Sequence, residues 1–290
     1  MRLALIGTGL IGGSAAWAMK KAGIFSAVTA CDLSQTAVEK AVSLGIADRA
    51  VTATAEAVAD ADAVMVAVPV LAMKSVFAEV AQHAKAGAFI TDVGSVRGRV
   101  IEDAQAALGA HFADYAPVHP IAGGEMPGVE YADSTLFVNA RAISTPTAGM
   151  RDEAVAFWEN AWKAAGSLIY RMTPEQHDAV FAAVSHLPHV LAYALVDAME
   201  KAPGAEEKFS FVGAGFRDFT RIAASSPAMW RDICLANREA ILTSIERFEN
   251  ELSLLKRAVA DRDGAELSAI FTRASSRRRA VKVPVKKSLS

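Results

Sequence analysis

The stretch RLALIGTGLIGGSAAWAMKK, Arg2 to Lys21, constrains this 290-residue chain more than any other. A basic residue followed by apolar and small residues would also suit a secretory leader. Gly7, Gly9, Gly12 and Gly13 interrupt any continuous apolar helix, however, and the run reads better as strand, tight turn and helix. GTGLIG fits G-x-G-x-x-G, a pattern frequent by chance. Here it follows a strand, opens a helix and is trailed by Asp32 at the end of the next strand. Gly7 permits the turn, Gly9 lets backbone approach a pyrophosphate, and Gly12 lets helix and strand pack closely. The helix N-terminus then offers unpaired N–H groups to the phosphates. Leu10 and Ile11 at the helix start, and Val68 and Pro69 after a later strand, complete the expected cofactor-binding set. Asp32 is expected to accept hydrogen bonds from ribose hydroxyls, and its charge would repel a 2′-phosphate, which predicts NAD rather than NADP.

Over residues 1–149 short apolar runs alternate with helical patterns. RLALI, AVTACD, DAVMVAVP, AFITDV and LFVNARAIST read as strands, and LIGGSAAWAMKKAG, SQTAVEKAVSLG and LAMKSVFAEVAQHA as helices between them. The alternation predicts an α/β, Rossmann-type dinucleotide-binding domain with a largely parallel sheet covered on both faces. From Met150 the pattern is helical, notably over 173–200 and 226–260, so an all-helical C-terminal dimerisation domain is expected over 150–271. A single helix from Pro227 to Ala260 would exceed the usual globular length and would need a partner, which predicts a homodimer. Residues 272–290 carry seven Lys or Arg and no acid or aromatic residue, and read as a solvated, disordered tail.

Composition narrows the function classes. At 52% hydrophobic, 21% charged and a formal net charge of −2, the chain fits a globular protein and not a nucleic-acid-coating one. The apolar run Ala63 to Met73 is short for a bilayer and contains Pro69, so no membrane span is expected. Cys31 and Cys234 lie far apart without metal-type spacing, which predicts neither disulfide nor metal site and fits a reducing cytoplasm. His186 and His189 stand three apart on a helix, but no carboxylate or cysteine occupies a matching position.

VHPIAGGE, Val118 to Glu125, places a histidine directly before a proline and two glycines. The proline biases His119 toward extended backbone, so its ring is held by the chain. A neutral imidazole can take a hydroxyl proton while the carbon beneath it loses hydride.

DVGSVRG (Asp92 to Gly98), HPIAGGE (His119 to Glu125), SHLPH (Ser185 to His189) and GFRDFTRIAASSPAMWRDI (Gly215 to Ile233) follow the glycine fingerprint in that order. Together they resemble the prephenate/arogenate (cyclohexadienyl) dehydrogenases, a resemblance that runs from Leu3 to about Lys256. It implies NAD-linked oxidative decarboxylation in tyrosine biosynthesis: hydride leaves the ring carbon bearing the 4-hydroxyl, the ring carboxylate departs as carbon dioxide, and the ring becomes aromatic. The resemblance gives His119 the hydroxyl proton and puts Ser95 beside it. It sets His189 by nicotinamide and ring, Arg221 on a substrate carboxylate with Asp218 orienting it, and Ser185 and Trp230 in the pocket wall. Glu125 would bear on the choice between prephenate and the ammonium-bearing arogenate. Ala214 stands where the family often has glycine.

Other readings of the same residues remain open. Ser95 could cap a helix beginning at Val96, Trp230 could be core, and Arg221 could pair with Asp218 on the surface. Two rival functions share the glycine fingerprint. One is a β-hydroxyacid dehydrogenase or imine reductase, whose resemblance would require a lysine where AVFAAVSHLPH offers histidines. The other is a non-catalytic NAD-binding protein, which would have no use for His119, Ser95 and Arg221 together.

Overall fold

The computed structural model describes residues 1–124 and 126–281. The chain forms two compact units, Met1–Arg238 and Glu239–Ser290. The first begins with β1 (Arg2–Ile6), α1 (Leu10–Lys21), β2 (Ala27–Cys31), α2 (Gln35–Ser43), β3 (Arg49–Val51), α3 (Thr54–Val58), β4 (Ala63–Val66), α4 (Met73–His83) and β5 (Phe89–Asp92). The five strands are parallel, in the order β3-β2-β1-β4-β5. Both faces are covered, which is why β1 and β4 read as unbroken apolar runs. Leu3, Leu5, Ala63 and Met65 enter one core with Met19, Trp158 and Trp162, whereas Ala4, Ile6, Val64 and Val66 enter the other with Phe77 and Tyr115.

After α5 (Gly98–Leu108) comes a second sheet, β6 (Val118–Ile121), β7 (Arg141–Ser144) and, beyond α6 (Asp152–Ala164), β8 (Leu168–Arg171). β6 runs antiparallel to β7, and β8 parallel to it. Two expectations need correction here. LFVNARAIST is strand only from Arg141, because the Asp133 carboxylate accepts from Thr135 N and Oγ1 and bends 134–139 into turns ending at Asn139, φ 60°. Met150 is not where the helical half starts. α6 fills the first core with Trp158 and Trp162, and β8, a short half-exposed segment with no strand pattern of its own, pairs with β7.

Helices dominate from Pro174. Thr173 and Gln176 form a reciprocal capping box at the start of α7 (Pro174–Phe181). A π-turn, Ala182–His186, leads into α8 (Leu187–Glu200). Pro188 lacks the N–H that would bond the Val184 carbonyl, so the regular ladder cannot pass through this point. The helix over 174–200 is longer than the run at Ala63 to Met73; by length and composition alone it could cross a bilayer, and 22% of its most apolar stretch is buried. α9 (Ala205–Ser210), α10 (Ala214–Thr220) and α11 (Pro227–Ala236) complete the unit. The helix expected over 227–260 is broken at Asn237, whose φ of −108° and ψ of 35° leave the helical region.

The second unit contains nearly all of α12 (Arg238–Ala260), and α13 (Gly264–Ala280). The tail expected to be disordered from Thr272 is helical to Ala280. Asp263 caps this helix by accepting from Glu266 N, and Arg277, Arg278 and Arg279 lie in the last turn, where positive charge suits the helix dipole. Residues 282–290 of that tail lie outside the described residues.

Candidate active site

Gly7 leaves β1 with φ +94°, and a Cβ on it would stand 2.5 Å from the Ala67 carbonyl oxygen and 3.0 Å from Val68 Cγ1. A Cβ on Gly12 would meet the Gly7 carbonyl oxygen at 2.6 Å. Gly9 differs: it is the N-cap of α1, has no side-chain cap, and its missing Cβ would meet nothing within 4 Å. Two glycines therefore serve the chain's own packing, while the third opens space before a helix N-terminus. Asp32 closes this turn from β2, one carboxylate oxygen accepting from Thr8 N at 2.8 Å and the other from Ser34 N at 3.0 Å. Leu10 and Ile11 begin α1, and Leu10 Cδ2 stands 3.1 Å from the point a Cβ on Gly124 would reach, so the loop after β6 passes close to the same turn. Val68 is partly buried beside Gly7, and exposed Pro69 starts a short 3₁₀ turn. An open cradle at Gly9 with a fixed carboxylate at Asp32 fits a dinucleotide.

His119 lies in β6, in the extended backbone expected for it, and pairs with Ile143 across to β7. Strand alternation buries Val118 and Pro120 and turns His119 and Ile121 to the other, partly open side. Pro120 is tolerated because β6 is the edge of its sheet. His119 Nδ1 stands 2.8 Å from His177 Nε2, and His177 Nδ1 stands 2.8 Å from Asp178 Oδ1. Phe181 packs on both rings, with centroids 5.0 Å from His119 and 4.4 Å from His177. Burial pushes the His119 imidazole well below its ordinary pKa, and His177, Arg97 and His186 add to the shift. His119 is neutral at physiological pH as a result. Burial likewise lowers His177, with the Asp178 hydrogen bond opposing it.

Asp178 also accepts from the backbone N–H groups of Arg97 and Gly98, each at 2.8 Å, and so caps α5 from α7. This corrects one reading of Ser95. The helix starts at Gly98, not Val96, and its cap comes from Asp178. Ser95 sits on a turn held rigidly from below: Asp92 Oδ1 accepts from Gly94 N and from Arg97 Nη2, both at 2.7 Å, and Arg97 Nη1 donates to the Gly94 carbonyl. Tyr115 donates to the other Asp92 oxygen. All three side chains of this cluster are fully buried. Against that burial, the Asp92 charge keeps the Arg97 guanidinium protonated.

His189 Nδ1 donates to the Ser185 carbonyl at 2.8 Å, which leaves Nε2 with its lone pair. Its ring stacks on Trp230, with centroids 3.7 Å apart and planes 20° from parallel. Trp230 is at once core and wall: it is buried among the residues of the second core and forms one face of the His189 slot. Burial lowers the His189 pKa; the Ser185 carbonyl opposes this, and the nearby Arg221 charge adds to it. Arg221 is exposed at the end of α10, with exposed Asp218 three residues before it. Ala214 begins α10 at negative φ, so alanine suits the position where glycine is frequent. Glu125 lies outside the described residues. Sequence reasoning missed His177, Asp178, Asn237 and the cluster of Asp92, Arg97 and Tyr115. The one available signal was a His-Asp pair inside a helix start, TPEQHD, 58 residues after His119.

Two family models match the chain, the nucleotide-binding domain of prephenate dehydrogenase over residues 15–171 and its dimerization domain over 173–273. Their junction falls just after β8, where the structure turns helical. The cyclohexadienyl dehydrogenase of Zymomonas mobilis is 37% identical, over 97% of this chain and 96% of that protein. The prephenate dehydrogenase of Bacillus subtilis is 34% identical, over 94% of this chain and 74% of its own length. Among solved structures, prephenate dehydrogenase from A. aeolicus in complex with hydroxyphenyl propionate and NAD+ superposes with a TM-score of 0.91 at 34% identity, covering 97% of this chain and 98% of the other. With one model matched over residues 15–171 and the other over 173–273, the chain belongs to the prephenate dehydrogenase family.

Proposed function

We propose that this chain is an NAD-dependent oxidoreductase that oxidatively decarboxylates prephenate, arogenate or both, acting as a homodimer in the cytoplasm. The observation that carries this is a neutral, partly buried His119 held at Nδ1 by a second histidine, on the strand whose following loop brings Gly124 against Leu10 at the glycine turn of a dinucleotide-binding domain. Bound at Gly7, Gly9, Gly12 and Asp32, NAD supplies the hydride acceptor. His119 takes the proton of the 4-hydroxyl as the ring carbon becomes a carbonyl carbon, and Ser95, on its fixed turn, hydrogen-bonds beside it. Arg221 holds a substrate carboxylate, for which a planar fork of donors suits a bidentate contact. His189, flattened on Trp230, offers its Nε2 lone pair to the ligand region. Asp218, Ser185 and Glu125 complete the substrate-binding set. Free thiols at Cys31 and Cys234 support a reducing compartment.

The test is a set of four rate measurements, prephenate and arogenate each with NAD and with NADP, following reduced cofactor and carbon dioxide. Turnover of one or both substrates with NAD preferred is expected. No turnover of either would refute the assignment, and a preference for NADP would refute the role of Asp32.

A further inference from the structure

Three groups from two elements stand in one hydrogen-bonded line: the Asp178 carboxylate and His177 ring on α7, and the His119 ring on β6. The protons on this line have one consistent arrangement. Asp178 is an acceptor, held below the ordinary carboxylate range because, against burial, hydrogen bonds from His177 and from Arg97 and Gly98 N–H favour its charge. His177 must therefore donate from Nδ1. A neutral His177 then presents a lone pair at Nε2, and His119 must donate to it from Nδ1. That leaves His119 Nε2 as the bare nitrogen, the one able to accept a proton.

We propose that Asp178 and His177 are a positioning pair that fixes His119 in this tautomer and then receives its positive charge. When His119 Nε2 gains the substrate hydroxyl proton, its Nδ1 proton passes to His177 Nε2. His119 is again neutral, and the imidazolium is His177, hydrogen-bonded to the Asp178 carboxylate. No proton is lost or gained beyond the one taken from substrate. The proposal rests on the reading of His119 as the base.

The surroundings explain why the charge should move. Facing His119 are the Arg97 guanidinium, from the turn before α5, and His186, from the π-turn, neither of which favours a cation there. Burial disfavours a cation on His177 as well, but there the Asp178 hydrogen bond and charge and, from β5, Asp92 oppose it, with Arg97 adding to burial, whereas no carboxylate does so at His119. Phe181 closes one side of both rings. Asp178 is in turn fixed by the α5 backbone, so the line is anchored where it starts.

The experiment uses the full chain with Asp178→Asn, His177→Gln and His177→Ala. Without the Asp178 charge, the imidazolium is harder to form. In Asp178→Asn and His177→Gln we expect kcat to fall about ten- to a hundredfold with both KM values nearly unchanged. The acid limb of the kcat profile should move to lower pH by about one unit, because a less stabilised cation forms only in more acid solution. Glutamine can still accept from His119 Nδ1–H, so His177→Gln should retain more activity than His177→Ala. Nitrogen NMR of the wild-type chain with labelled histidine gives a readout that needs no turnover: His119 should carry its proton on Nδ1. Wild-type kcat and an unmoved acid limb in both Asp178→Asn and His177→Gln would overturn the proposal, as would a His119 protonated on Nε2. If the wild-type chain turns over neither ring substrate, the functional reading fails, and the NMR tautomer still decides on the pair.

Discussion

At the scale of single residues, the three fingerprint glycines separate into two jobs, and substitution should tell them apart. Gly7→Ala forces a Cβ against the Ala67 carbonyl at a φ of +94°. It should cost about 2 kcal/mol of stability or more and lower the melting temperature. Gly9→Val adds a side chain to open space, so the melting temperature should hold while NAD affinity, measured by fluorescence titration, falls at least about tenfold. A Gly9→Val chain that binds NAD normally would mean that the pyrophosphate does not lie there. His119→Asn retains polarity but cannot take a proton at neutral pH. Its kcat should fall about a hundred- to ten-thousandfold with little change in KM. For wild type, because the His119 pKa is depressed, kcat/KM should stay level as pH falls through the ordinary histidine value near 6.5 and decline only below it. A decline centred at the ordinary value would refute the buried, neutral base. What made Gly7, Gly9, Gly12, Asp32 and His119 legible is that each answers a backbone or charge constraint readable over a few neighbours. His177 and Asp178 carry no such local mark, and their meaning comes from a strand 58 residues away.

At the scale of elements, the two departures from regular helix are joined by one side chain. Asn237, at the break between α11 and α12, donates Nδ2–H to the Asp178 carbonyl at 3.0 Å and meets His186 Nδ1, in the π-turn, at 3.1 Å. The break that periodicity could not foresee therefore holds the helix that carries the histidines. Apolar spacing over 226–260 continues through Asn237, so the sequence pattern alone reads as one helix; only the long-range polar contacts show why it stops. Asn237→Ala should leave the buried His186 Nδ1 unpaired, remove the second donor from the Asp178 carbonyl, which keeps the Ala182 N–H, and cost about 1 to 3 kcal/mol. His186 links this element to pH. Burial lowers its pKa from 6.5 to about 4, with Asp178 opposing and His177 and His189 adding. Between those values the unfolded chain binds the proton and the folded chain does not, so stability drops as pH falls from 6.5 toward about 4, by about 3 kcal/mol for this group, and changes no further below. Denaturant melts at about pH 7 and pH 5 should show a smaller loss for His186→Gln than for wild type. An equal loss in both would place the pH sensitivity elsewhere.

At the scale of the molecule, the α/β half was readable because parallel strands covered on both faces write themselves as apolar runs, whereas β8 was hidden because its partner supplies its pattern. The helical half raises a different question, what covers its apolar surface. The helix over 174–200 holds Val180, Val184 and Leu195 at 41%, 65% and 41% exposure. A large apolar side chain gains about 1.5 to 3 kcal/mol on full burial, so a helix this apolar and this uncovered favours association strongly. A matched dimerization domain over 173–273 includes it. The same helix carries His177, Asp178 and His189, so a second copy seated on its outer side would brace the face that holds the histidines. Light scattering at about micromolar concentration should give twice the chain mass. Val184→Glu places a charge where the apolar contact would form, which should raise the dimer dissociation constant at least about a hundredfold while leaving the helical circular dichroism intact. A wild-type chain that scatters as a monomer would defeat the homodimer, and a Val184→Glu chain that stays dimeric would move the interface to another surface.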